Sequence, residues 1–353
     1  MTIDKKNKLL LFPKVGKFII IFFSIAFLVA GVRAYQLYNY IFKPNVKTEQ
    51  AIIIPEGATF DDVVDSLQAN DVLINYKAFR WVSKKKNYPD AIKPGRYLFR
   101  KGMNTNQIVN NLRAGIQEPV DVTFNNVRFK EDLAGKVSRY IQADSVSILM
   151  LFMNDELISE WGFTPETFKA MFIPNTYEFY WTTSAVEFAE RMKVEYERFW
   201  NSSRRKKAEE IGLTPPEVTT LASIVQEETN RVEELQRVAG LYINRIQRGI
   251  PLQADPTVRF ALGDFTVKRI LNKHLEIDSP YNTYKYNGLP PGPINFPAVS
   301  VIDAVLNYED HNYLYMVARP DFSGFHNFSA TLAEHNRNAA RYRAALNKRQ
   351  IWK

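Results

Sequence analysis

Two glutamates stand side by side at the end of an apolar run, Leu221-Ala222-Ser223-Ile224-Val225-Gln226-Glu227-Glu228-Thr229-Asn230. Thr214-Pro215-Pro216-Glu217, just ahead, has the form of a helix start: Thr as N-cap, Pro in the first turn and Glu at N3 closing a capping box. At about 100° per residue, Val218, Leu221, Ala222, Ile224 and Val225 share one face, with Glu228 about 50° from its centre and Glu227 about 150° away. The spacing points Glu228 inward and leaves Glu227 on a solvated face. Burial disfavours a charged carboxylate and raises its pKa, which is what a general acid near neutral pH requires. The same wheel also permits a structural reading, with Glu228 partly buried in an ion pair with Arg245 or Arg259.

Other chemistries find little support. The chain has no cysteine, which excludes a disulfide framework, a thiol nucleophile and a cysteine zinc site. Its four histidines, His274, His311, His326 and His335, have no metal-ligand spacing, and there is no His-Glu-x-x-His, Gly-x-Ser-x-Gly, P-loop or Gly-x-Gly-x-x-Gly. Neither a metal nor a cofactor is expected.

The elements that position the glutamates belong to a chain of 353 residues, 46% hydrophobic and 24% charged, long enough for two or more compact units. Its formal net charge is +8, of which residues 1–47 carry +7, so the remaining body is nearly neutral. That leaves no electrostatic footprint for nucleic acid. The basicity flanks an uncharged run, Phe18 to Val32, with Lys17 before it and Arg33 after it. Fifteen helical residues span about 22 Å of a roughly 30 Å hydrocarbon layer, and snorkelling by Lys17 and Arg33 with Ala34, Tyr35, Leu37 and Tyr38 extends the reach. We read 1–17 as a cytoplasmic basic tail and 18–38 as a single-pass transmembrane anchor, with an extracytoplasmic body on a cytoplasmic (inner) membrane. A cleaved signal peptide is the competing reading, but its nearest small-residue site, Val32-Arg33-Ala34, has an arginine in the middle.

After a polar linker containing Lys43-Pro44-Asn45, the chain reads strand, turn, helix: Ala51 to Ile54, Pro55-Glu56-Gly57, then Thr59 as N-cap before Phe60, Val63, Val64 and Leu67. Gly57-x-Thr59-x-x-x-Val63-Val64-x-x-Leu67 is echoed by Gly102-x-Asn104-x-x-x-Ile108-Val109-x-x-Leu112, and more weakly by a unit starting at the strand Val120 to Phe124. Residues 48–117 read as a small α+β module, either a spacer or a LysM-like module that recognises cell-wall glycan. From about 140 the pattern is mainly helical, and 118–353 is expected to form a mainly helical α+β domain. Its densest aromatic stretch, Phe172 to Trp181, suits a core or a stacking platform for sugar rings.

Six ordered stretches of this second half together resemble the YceG-like family of endolytic murein transglycosylases: Leu221 to Thr229, Tyr242 to Arg245, Leu252 to Val258, Tyr281 to Tyr284, Gly288 to Ile294 and Thr331 to Asn336. The likeness extends to the N-terminal anchor, the LysM-like module and Pro174 to Tyr177. It implies a lyase that cuts the β-1,4 bond between N-acetylmuramic acid and N-acetylglucosamine in nascent peptidoglycan strands without water, leaving 1,6-anhydro-muramyl ends and limiting strand elongation. It implies that the glutamate before the Thr, Glu228, is catalytic, and that peptidoglycan synthases at the same membrane are partners. The chain departs from the family at Gln226, where many members have glutamate, at Asn175, where aspartate is common, and at Asn295-Phe296-Pro297, where Asn-Pro-Gly often follows the isoleucine. Asn244, Asp255, Thr257, Tyr281, Asn282 and Tyr284 offer groups that bind sugars, and each also suits loop architecture. Two other functions remain open: a muramidase-type hydrolase using Glu228 with Asp255 or Glu178, and a membrane-tethered wall-binding scaffold without activity.

Overall fold

The structure is a computed structural model and describes residues 12–267 and 269–349. Most of the expected basic tail, with Lys5, Lys6 and Lys8, lies outside the described residues. The described residues fall into two compact units: 12–119 with 180–182, and 120–179 with the described residues from 183 to 349.

The first unit begins with α1 (Phe12–Phe42), of which Gly16–Phe42 is long and apolar enough to cross a membrane; its most apolar 18-residue window has mean hydropathy 2.2 and no buried residue. The helix continues past the expected end at residue 38, and no linker separates it from the module. Pro44 bridges to Asn104 and Val46 to Leu73, while Asn45 is buried, donating from Nδ2 to Asn75 O and Thr105 Oγ1 and accepting Asn75 N on Oδ1. Lys43-Pro44-Asn45 reads as polar, yet the Asn45 side chain satisfies buried backbone groups, and that fuses the segment to the α+β module.

The module itself runs β1 (Gln50–Ile54), α2 (Phe60–Ala69), α3 (Tyr76–Lys85), β2 (Gly95–Phe99) and α4 (Thr105–Ala114), with β1 and β2 antiparallel, Gln50 opposite Phe99. The internal echo corresponds to α2 and α4. Each has a capping box, Thr59 with Asp62 and Asn104 with Gln107, and each is preceded by a glycine at positive φ, Gly57 and Gly102. Val63, Val64 and Leu67 of one and Ile108, Val109 and Leu112 of the other meet in a shared core around Phe79 and Tyr88.

The weaker third echo does not belong to this unit. Its strand, β3 (Val120–Thr123), opens the second unit, which continues with α5 (Lys130–Val137), α6 (Ser145–Leu151), α7 (Asp155–Glu160) and β4 (Thr176–Phe179), the partner of β3 with Val122 opposite Tyr177. The chain then forms α8 (Ala185–Phe199), α9 (Ser202–Ile211), α10 (Pro215–Glu228), α11 (Leu235–Gln247), α12 (Asp255–Leu262), α13 (Val299–Leu306), the hairpin β5 (Tyr315–Ala318) and β6 (His326–Ser329), and α14 (Leu332–Lys348). The aromatic stretch serves mostly as core: Phe172, Tyr177 and Phe179 are buried, and Phe172 packs against Phe152, Phe168, Phe188 and Phe296.

α10 is the central helix of the second unit. It starts with the expected capping box: Thr214 Oγ1 accepts Glu217 N, and the Glu217 carboxylate accepts Thr214 N at 2.7 Å. Every residue from Val218 to Val225 is buried, with α9, α11, α12 and α13 packed around the helix. Polar Thr219 and Thr220 tolerate this burial because their hydroxyls donate to Pro215 O and Pro216 O.

Candidate active site

The last two turns of α10 are held by a loop and by a neighbouring helix. Ser223 Oγ accepts Ile294 N, Asn295 Nδ2 donates to Glu227 Oε1 at 2.8 Å, and Ala298 N donates to Gln226 Oε1 at 2.7 Å. Glu227 also accepts from Arg128 Nη2, at 3.0 and 2.8 Å to its two oxygens, and its side chain is only 20% exposed. The expectation of a solvated Glu227 is therefore overturned. A single-helix wheel reports only the apolar face, while the 294–298 loop and Arg128 enclose the polar side from distant parts of the chain. Glu227 lines a cavity of ≈ 590 Å³ together with Arg128, Phe129, Gln226, Asn230 and Asn295.

Glu228, the next residue, lines a different cleft of ≈ 310 Å³. Across from it, α11 supplies Tyr242, whose hydroxyl donates to Glu228 Oε1 at 2.8 Å. Burial is the main cause that raises the Glu228 pKa, to about 7; the Asp255 charge adds to the rise, and the Tyr242 hydrogen bond and Arg259 oppose it. Tyr242 is itself pushed well above its ordinary value by burial and by the adjacent carboxylate, so it stays a donor.

The structural ion pair is not formed. Arg245 spends its guanidinium on Pro251 O, Leu314 O and Gln253 Oε1, and Arg259 Nε is buried without a partner. Arg245 thereby ties the 251–253 strand of loop to the start of β5 and shapes one wall of the cleft. Leu241, Leu252, Leu314 and Met316 make that wall apolar, and Tyr315 and His335 stack at 5.4 Å beside it. The His335 pKa is lowered, first by burial and then by Arg245 and Arg343. Among the described residues, no cluster of three or more His, Asp or Glu could hold a metal ion.

A sequence profile of the YceG-like family matches residues 52–341. The chain belongs to the YceG-like family. Relatives named endolytic murein transglycosylase occur in Bacillus subtilis (strain 168), 27% identical over 318 residues, and in Streptococcus pneumoniae serotype 2 (strain D39), 25% identical over 332. The matches cover 86% of this chain and 87% of the Bacillus protein, and 84% of this chain and 59% of the Streptococcus one. The 2.6 Å crystal structure of a putative yceG-like protein from Listeria monocytogenes aligns with a TM-score of 0.53 at 29% identity, over 82% of this chain and 98% of that one.

In this YceG-like chain the polar residues singled out from the sequence fall into two groups. Asp255, at the first position of α12, and Tyr284 line the cleft with Glu228, and the Tyr284 hydroxyl donates to Asp255 Oδ1 at 2.6 Å. The others lie outside its lining. Asn244 Nδ2 donates to His311 O and Tyr313 O; Thr257 is buried, bonded to Ala254 O and to Thr283 Oγ1. Asn282 is buried with Nδ2 on Leu275 O and Ile277 O, and the Tyr281 ring packs on Phe260 at 4.7 Å. Thr257, Tyr281 and Asn282 build the segments that carry Asp255 and Tyr284, and Asn244 ties α11 to the 311–313 segment ahead of β5. Glu178 is an exposed residue of β4 and is not in the cleft lining.

Sequence reasoning did not select Tyr242, Arg245, Gln253, Tyr315 or His335 as site residues. Tyr242 and Arg245 lie in the same short run as Asn244, and helix periodicity places all of these near a packed face without saying which one meets Glu228. Gln253 has φ +53, a left-handed conformation rare outside glycine, held by Thr283 O accepting its N–H at 3.0 Å.

Proposed function

We propose that this chain is a membrane-anchored endolytic peptidoglycan transglycosylase that cleaves the β-1,4 bond between N-acetylmuramic acid and N-acetylglucosamine and leaves 1,6-anhydro-muramyl ends. The observation that carries the reading is Glu228: a carboxyl facing a cleft, without an ion-pair partner among the described residues, titrating at about 7. A group with that pKa is substantially protonated at neutral pH and is as ready to take a proton back.

In this mechanism Tyr242 occupies Glu228 Oε1, leaving the transferable proton on the other oxygen. Glu228 gives it to the glycosidic oxygen as the C1–O bond breaks, and N-acetylglucosamine departs with a free 4-hydroxyl. The Glu228 carboxylate then takes the proton of the muramyl 6-hydroxyl as that oxygen bonds to C1. Protons balance, water is not consumed, and one carboxyl serves both steps. The apolar wall of the cleft supports this by disfavouring solvent near the cation-like sugar. The relatives' shared name supports the substrate class, and the apolar span of α1 supports the anchor.

Asp255 in the same cleft favours a second reading, hydrolysis by a carboxyl pair. Mass spectrometry of glycan strands digested by the purified chain separates them. Anhydro ends are expected; reducing muramic ends would establish the hydrolase, and uncut strands would leave a wall-binding scaffold. The LysM-like module is proposed to bind glycan, and synthases of the same membrane are proposed partners; both rest on the family resemblance.

A further inference from the structure

We infer that the exposed face of α3 around Trp81 is a binding surface for anionic lipid headgroups of the bilayer that holds α1. This rests on the reading of α1 as an anchor and adds a second, electrostatic contact to it.

The end of α1 sets the depth of this surface. Ile41 packs into the core of the first unit, and the Tyr40 ring meets Trp81 of α3 at 6.4 Å in an edge-on arrangement. With Asn45 buried three residues after Phe42, the end of α1, the helix and the module belong to the same unit. About 20 helical residues fill a hydrocarbon layer, so a span beginning at Phe18 reaches its boundary near Leu37. From Leu37 to Ile41 is four residues, about 6 Å of helix rise. A headgroup layer is about 5–8 Å deep on each side. The surroundings of Tyr40 and Trp81 therefore lie at the depth of the headgroups.

Those surroundings are cationic. Lys77, Lys84 and Lys85 stand four before, three after and four after Trp81, the spacings that share a helix face. All three are exposed, and none has a side-chain hydrogen bond or ion pair among the described residues. Lys43, also exposed, directly follows α1. By contrast, Arg80 pairs with Asp61, Lys47 with Asp71, and Lys86 donates to Asn110. From Asn75 to Tyr88 there is no acidic residue. A tryptophan flanked by unpaired lysines at headgroup depth combines an amphipathic ring that favours the interface with charges that attract phosphate. Because the rest of the body is nearly neutral, this patch is a local feature.

The test uses the full chain in lipid nanodiscs, one set of phosphatidylcholine and one of phosphatidylcholine with phosphatidylglycerol at three to one. Lysines are acetylated briefly with an activated ester and their rates read by mass spectrometry, with exposed Lys206 of α9 as the reference. In the anionic discs, labelling of Lys77, Lys84 and Lys85 should fall about fivefold relative to Lys206, the factor one lysine gains at an anionic surface, and high salt should restore it. A K77Q/K84Q/K85Q variant should lose the lipid-dependent slowing of amide exchange expected over residues 76–87. Equal labelling of the three lysines in both bilayers would overturn the inference while leaving the anchor intact. Failure of the chain to elute with either disc would overturn the anchor and the inference together.

Discussion

Replacing Glu228 with Gln removes the transferable proton while keeping an acceptor for the Tyr242 hydroxyl. General acid–base catalysis contributes about 10² to 10⁴ in rate, so strand cleavage should fall by that factor. The same variant carries a thermodynamic signature. Glu228 titrates at about 7 in the folded chain, against an ordinary value of 4.5. Below the ordinary value the carboxyl is protonated whether or not the chain is folded, and its burial costs no ionisation energy. As pH rises from there toward 7, the unfolded chain releases the proton while the folded chain keeps it, so stability falls. The fall is complete above the folded value and amounts to about 3 kcal/mol, reduced to about 2–3 kcal/mol because the cleft leaves the carboxyl partly open to solvent. Gln does not titrate. Relative to wild type, Glu228→Gln should therefore gain about 2–3 kcal/mol between about pH 4.5 and pH 8, a relative rise in Tm on the order of 5–10 °C for a unit of this size. Calorimetry of both proteins across that range, with chromatography of digested strands, measures the two effects. A stability difference that does not change with pH would show a solvated carboxyl and refute the proposed acid. Unchanged cleavage would refute its role.

Glu227→Gln should destabilise by about 1–2 kcal/mol in urea denaturation, because it weakens the Arg128 and Asn295 contacts, and should reduce cleavage much less than the neighbouring substitution. Tyr242→Phe removes a hydrogen bond that holds the Glu228 pKa down, so the alkaline limb of kcat/KM should move to higher pH, by up to about one unit, with a lower kcat. Asp255→Asn removes a charge that raises that pKa and should move the same limb to lower pH, while product ends stay anhydro. Loss of all cleavage in Asp255→Asn would favour the hydrolase.

The helix carrying the glutamates, its capping box and the two echoed helices of the first unit were legible because each rests on contacts within a few residues. Thr214 with Glu217, and Thr59 and Asn104 with their own N3 partners, close regardless of what packs around them. The apolar span of α1 was legible from its composition, whereas the continuation of the helix to Phe42, past the expected end at residue 38, was not. The inward direction of Glu228 followed from periodicity, but its pKa depends first on burial by the packed fold and then on Tyr242, Asp255 and Arg259, which reach it from two other helices. The enclosure of Glu227 by Arg128 and Asn295, 99 and 68 residues away, has no trace in local spacing. Asn244, Thr257 and Asn282 show the same limit. A polar side chain looks alike in sequence whether it faces a substrate or satisfies a buried loop carbonyl, and only the tertiary fold decides which carbonyls lack a partner.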